Sequence, residues 1–145
     1  MLPAEVILPT VFVDVLSAKR TFWEQATLAH DMCNREEWTG GAGRNSRHWS
    51  DLAQLADHPI GVEALNDREL LADVVRVKLV FYKRSTSRYE ECLSRGLRLI
   101  PDAEGLAALE EDYRAMIEAA MFSEPPSTFE ALIARIHKLE REINK

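Results

Sequence analysis

The sequence predicts a mainly α protein, a single domain over residues 1–145 built as a bundle of about five helices with one N-terminal β-strand. Three observations carry this. Apolar residues recur at helical spacing through most of the chain. Capping signatures precede several of those runs. One β-branched and aromatic run near the N-terminus has no second such run to match it. A length of 145 residues suits one domain with a real core. A hydrophobic content of 46% with 29% charged residues favours a folded chain over disorder.

The elements follow in order. "VILPTVFVDVL", Val6 to Leu16, is too short for a buried helix and reads as a strand, interrupted at Pro9. A lone strand leaves its backbone donors and acceptors unpaired, so it needs a partner outside this chain. Thr21 and Glu24 form a capping box, which places a helix start there, with Phe22, Ala26, Ala29 and Cys33 along one face. "TGGAGRNS" reads as a flexible loop. "RHWSDLAQLAD" follows as a helix with a stripe of Trp49, Leu52, Leu55 and Ala56. Asn66 and Glu69 cap a third helix, with Leu70, Val74, Val77 and Phe81 on its face. "RSTSRYEECLSRGLRLIP" is mixed, with an extended piece near Leu97–Ile100. Leu106, Leu109, Tyr113, Met116, Ile117 and Ala120 mark a fourth helix, which "SEPPS" breaks. Ser127 and Glu130 cap a fifth, faced by Phe129, Leu132, Ile133, Ile136, Leu139 and Ile143.

Charge is uneven. The net charge of −6 argues against a broad nucleic-acid coat. Yet seven basic residues stand between Val74 and Arg98 against only Glu90 and Glu91, while ten acidic residues oppose five basic ones from Asp102 onward. A basic middle serves an anionic ligand locally. Cys33 and Cys92 are far apart and have no metal spacing, so they read as reduced thiols of a cytoplasmic protein. No apolar run approaches a membrane span, and no signal peptide is expected.

Several chemistries are excluded by their residues. "TGGAGRNSRH" lacks the Gly-Lys-Ser/Thr of a phosphate loop. No Asp-x-Asp pair occurs; Glu110 and Asp112 come closest, but on a helix they point to different sides. Serine-triad and zinc patterns are missing. Arg44 and His48 read either as the arginine–histidine pair of a helical ribonuclease, at a spacing shorter than usual, or as helix-start residues that salt-bridge or face solvent. Arg47 and Asp51, four apart on one helix, read as an i,i+4 ion pair or as an acid and base at the rim of a cleft. Lys78 lies inside the apolar stripe of its helix, where it either snorkels to the surface or reaches a phosphate.

"VLSAKRTFWEQATLAH", "RNSRHWSDLAQLA", "ALNDRELLADVVRVKLVFY", "GLRLIP", "LEEDYRAMIEAAMFSEPPSTFEALI" and "LEREIN" together resemble the C-terminal half of AbiEii/AbiGii-type nucleotidyltransferase toxins, over about Val11 to Asn144. The resemblance implies an enzyme whose N-terminal α/β domain carries a Gly-Ser motif and an Asp-x-Asp metal pair. Its helical half adds a phosphate-holding lysine and an aspartate near the reacting centre. It implies Mg²⁺ and a nucleoside triphosphate in the complete enzyme, an RNA such as tRNA as acceptor, and a place in type IV toxin–antitoxin or phage-defence systems. The aspartate is matched by Asp51, with Arg47 and His48 around it; Lys78 and Arg98 match further basic positions and count with them as candidate phosphate contacts. Gln25 stands where the family has lysine. An amide carries no charge and cannot replace the pull of an ammonium on a triphosphate. With the metal-binding half missing, the chain is expected to hold no cofactor by itself and to be inactive alone, as part of a truncated or split enzyme. The orphan strand would join the sheet of the missing domain. The alternative is a non-catalytic binding module, a decoy that engages a toxin or antitoxin partner.

Overall fold

The computed structural model describes residues 4–35, 45–82, 87–122 and 127–145. Six α-helices carry the fold among these residues: α1 (Ala4–Cys33), α2 (Ser46–Asp57), α3 (Pro59–Asn66), α4 (Arg68–Phe81), α5 (Ala103–Glu118) and α6 (Phe129–Asn144). A 3₁₀ turn, Tyr89–Leu93, links α4 to α5. Most of the predicted loop "TGGAGRNS" and of the "SEPPS" break lies outside the described residues.

The mainly helical class agrees with the sequence. Val6–Leu16, read as a strand, belongs to α1, which continues without a break to Cys33. A helix satisfies its backbone within the segment, whereas a strand here would have no partner in this chain. The capping box at Thr21 therefore starts nothing: Thr21 is an exposed residue inside α1. The extra helix is α3. His58 caps it by accepting the Ile60 N–H at 3.1 Å, and Pro59 occupies the first turn, where its missing N–H costs nothing.

Two predicted caps shift by one residue. Asp67, not Asn66, caps α4 by accepting the Leu70 N–H at 3.1 Å. Thr128, not Ser127, caps α6 by accepting the Ala131 N–H at 3.1 Å. The Asp67 carboxyl also pairs with Lys19 of α1 at 3.0 Å. Those two partners hold it below the usual carboxylate range. Asn45 gives α2 no side-chain cap; Asp112 of α5 does so instead, accepting from Ser46 N at 2.8 Å and from Ser46 Oγ at 2.5 Å. At the far end of α5, Ala120 takes a left-handed φ of 53°. Its N–H donates to Ile117 O, and the Met121 N–H donates to Met116 O. That is a Schellman ending with alanine where glycine is usual.

The core gathers around α1 and α2. α1 packs on α2, α3 and α4, and α2 packs on α5 and α6. Phe22, Trp23, Ala26 and Ala29 from α1 and Trp49 and Leu52 from α2 are sealed from solvent, with Val74 and Val75 of α4 and Ile136 and Leu139 of α6 closing over them. Each buried indole finds an acceptor: Trp23 Nε1 donates to Ala64 O and Trp49 Nε1 to Leu99 O, both at 2.8 Å. Gly61 permits the sharp α2–α3 corner, since a Cβ there would sit 1.9 Å from Leu55 O.

The segment Leu97–Ile100 has neither helix nor strand partner, and side chains satisfy its backbone. Leu97 exchanges two bonds with the Asn144 amide, at 3.1 and 2.7 Å. The Arg98 N–H donates to His30 Nδ1 at 2.9 Å. Leu99 N and Ile100 N both donate to Glu140 Oε2, at 2.7 and 3.0 Å. Helices α1, α2 and α6 thus grip a strand-like run that no sheet supports.

Candidate active-site wall

Three helices bring three of the sequence-predicted residues together. Gln25 of α1 and His48 of α2 face each other at the helix crossing, and His48 Nδ1–H donates to Gln25 Oε1 at 3.0 Å. With the amide oxygen as acceptor, the imidazole proton sits on Nδ1, which leaves Nε2 as an acceptor. Burial pushes the His48 pKa below its ordinary value, Asp51 opposes this, and Arg47 and Lys78 reinforce it. His48 is therefore neutral at pH 7.

Gln25 also lines a cavity of about 610 Å³ between α1 and α4, together with Lys78, Asp31, Arg35 and Tyr89. Lys78 lines this cavity and is half-buried. Its ammonium lies 3.3 Å from Glu24 O and 5.8 Å from the centre of the Tyr89 ring. Among the described residues it has no carboxylate within ion-pair distance. Burial lowers its pKa, and the nearby Glu24 and Asp31 carboxylates oppose that shift.

Arg47 and Asp51 lie one turn apart on the outer side of α2, 3.9 Å from each other and both solvent-exposed. Such a pair contributes at most a few tenths of a kcal/mol. Arg98 stands apart from the cluster. Its guanidinium donates to Asn34 Oδ1 at 3.2 Å, at the end of α1, and it does not line the cavity.

A buried polar knot beside the cavity escaped the sequence reading. His30 is fully buried; its Nε2–H donates to Arg88 O at 2.8 Å and its Nδ1 accepts from Arg98 N. Burial keeps it neutral by lowering its pKa. Asp31 accepts from Ser87 Oγ at 2.6 Å and from Arg35 Nη2 at 3.0 Å. Among the described residues, Arg35 Nε is buried with no hydrogen-bond partner. The available signal was position: His30 follows Ala26 by four residues and so continues the buried face of α1. Both cysteines are buried and their thiols are pushed up to about 12, which leaves them inert as nucleophiles at neutral pH.

The donor set does not fit a metal. Among the described residues no three His, Cys, Asp or Glu side chains converge. Glu110 and Asp112, the nearest approach to a carboxylate pair, are engaged separately: Glu110 holds Arg114 at 2.6 Å and Asp112 caps α2. Among the described residues, no helix is long and apolar enough to cross a membrane.

No curated protein and no solved structure matches the chain significantly. A family match does exist, and it runs through the elements that build this wall. Residues 2–135 match the description "nucleotidyl transferase AbiEii toxin, type IV TA system". The chain belongs to the AbiEii family of nucleotidyl transferase toxins.

Proposed function

We propose that this chain forms the helical wall of a nucleotidyl transferase cleft and is completed by an N-terminal α/β half carrying the Gly-Ser and Asp-x-Asp motifs. The Gln25–His48 hydrogen bond carries the reading. It ties the two helices that bear the matched motif positions, with Lys78 beside them. In the transfer, an acceptor hydroxyl attacks the α-phosphorus of a nucleoside triphosphate and pyrophosphate leaves. When bound, Mg²⁺ neutralises the phosphate charge; the carboxylates for it come from the N-terminal half, because the described residues of this chain offer no set that fits. Lys78 contributes positive charge toward the phosphates. Gln25 orients His48, and the Nε2 of His48 accepts a hydrogen bond from substrate. Asp51, at the rim, keeps the electrostatic balance of that imidazole. The acceptor is an RNA such as tRNA.

Alone the chain is inactive. Co-expression with an N-terminal half supplies the test: complex formation and Mg²⁺-dependent transfer of labelled nucleotide to RNA support the reading, and their absence rejects it. A decoy reading is supported by one observation: the amide of Gln25, which by resemblance stands at the family's lysine position, is already engaged by His48. Pull-down against intact toxin and against antitoxin discriminates, since a decoy captures one of them and transfers nothing.

A further inference from the structure

His30 ties two backbone groups of one loop to α1. Its Nε2–H donates to Arg88 O at 2.8 Å, and its Nδ1 accepts the Arg98 N–H at 2.9 Å. These contacts stand on either side of the 3₁₀ turn Tyr89–Leu93, and the imidazole that joins them is fully buried. Only the neutral Nε2–H tautomer makes both bonds. A second proton would go to Nδ1, where it meets another donor, the Arg98 N–H. Asn34 does not supply an acceptor: its amide nitrogen lies 3.2 Å from Nε2, and its oxygen already accepts from Arg98 Nη1.

The surroundings do not rescue the charged ring. Burial disfavours the imidazolium most; the Arg88 carbonyl, Glu91 and Asp31 favour it, and Arg98 opposes it. Asp31 is already bound to Ser87 Oγ and Arg35, and Glu91 lies 3.9 Å from Arg88. From α6, the Glu140 carboxylate is taken up by Leu99 N and Ile100 N. The loop itself is under strain. Arg88 and Arg95 hold left-handed φ values of 50° and 64°, a costly conformation for residues with a side chain. Tyr89 and Cys92 bury their side chains beneath the turn. The grip of α6 takes Leu97, Leu99 and Ile100 but leaves out both Arg88 O and Arg98 N. Those two groups depend on one ring.

We propose that His30 is an acid-released latch: neutral, it pins Arg88 and Arg98 to α1, and on gaining a proton it lets the loop between them lift while α6 keeps its hold on Leu97, Leu99 and Ile100. The loop carries Tyr89, which lines the α1–α4 cavity with its ring centre 5.8 Å from the Lys78 ammonium, so one wall of that cavity moves with the latch. The inference does not depend on the proposed nucleotidyl transfer. Its test is amide exchange of the isolated chain, followed by NMR between about pH 5 and 7.5, with and without sub-denaturing urea. The Arg98 protection factor falls by up to about tenfold per pH unit below about 6.5 and levels off where the His30 ring itself titrates. It stays below that of Leu52, in the core of α2, and does not respond to urea that lowers Leu52 protection. His30→Gln removes the pH dependence at Arg98.

Equal protection and equal urea dependence at Arg98 and Leu52 mean that this amide opens only by global unfolding, which overturns the proposal. An acid slope at Arg98 that survives His30→Gln does the same, as does one that begins only near about pH 4, the ordinary carboxylate range. If His30→Gln fails to fold, the unsubstituted chain still decides: His30 ring resonances that titrate at or above about pH 6.5, with Arg98 protection unchanged, sink the latch.

Discussion

Replacing Glu140 with alanine should loosen the molecule far from its termini. One carboxylate oxygen, Glu140 Oε2, accepts both the Leu99 and the Ile100 N–H, at 2.7 and 3.0 Å. Leu99 is fully buried, so water cannot readily replace the lost acceptor. Hydrogen bonds to a charged group contribute about 1.5–3 kcal/mol each, and an orphaned buried donor costs a similar amount. The two bonds share one oxygen and do not add fully, so the expected loss is about 3 kcal/mol. For a chain of this size that corresponds to roughly 6–12 °C in Tm. Glu140→Gln keeps a neutral acceptor in place and should cost only about 1 kcal/mol. Urea and thermal unfolding followed by circular dichroism give the two stabilities, and amide exchange at Leu99 and Ile100 localises the effect. Equal stabilities for the two variants, or unchanged exchange at both amides in Glu140→Ala, would refute the assignment of these bonds as structural.

Three further expectations follow from the same geometry. Gly61→Ala drives a Cβ into Leu55 O and should destabilise the chain by about 3 kcal/mol, measured by urea unfolding, because the obstacle is backbone and cannot rotate away. Ala120→Gly relieves a left-handed alanine at the end of α5 and should stabilise by about 0.5–1 kcal/mol; a lower Tm contradicts the Schellman reading. Stability should fall as pH drops below 6.5. His30 and His48 have folded pKa values below the ordinary imidazole value, so the unfolded chain takes up protons first and its proton count exceeds that of the fold. The loss grows until pH reaches the folded pKa values, and no such slope appears above about pH 7; His30→Gln should flatten the low-pH limb, with a change of at most about 1.4 kcal/mol per pH unit assigned to that histidine.

The helical class was legible because the stripes of α2, α5 and α6 repeat cleanly. Trp49, Leu52, Leu109, Tyr113, Ile136 and Leu139 were all placed on buried faces, and all are buried. Phe81 shows where periodicity fails: it continues the α4 stripe in sequence, yet its ring is exposed. Within the candidate site, Gln25, His48 and Lys78 converge, but only the fold reveals that Arg98 points elsewhere. The His30–Asp31–Ser87 knot joins residues more than fifty positions apart, a relation no local pattern records.

The grip on Leu97–Ile100 has a bearing on when the protein can become itself. Its acceptors on α6 follow it by 40 to 47 residues, and its partner His30 precedes it by 68. During synthesis, α1 through α5 emerge before Glu140 and Asn144 exist, so the Leu97, Leu99 and Ile100 amides wait in water. The wall that carries Gln25, His48 and Lys78 is buttressed through His30 and Trp49 by that same segment. Its final rigidity is therefore a late event that waits for α6. A nascent chain of this design stays soft along this wall until α6 has been made.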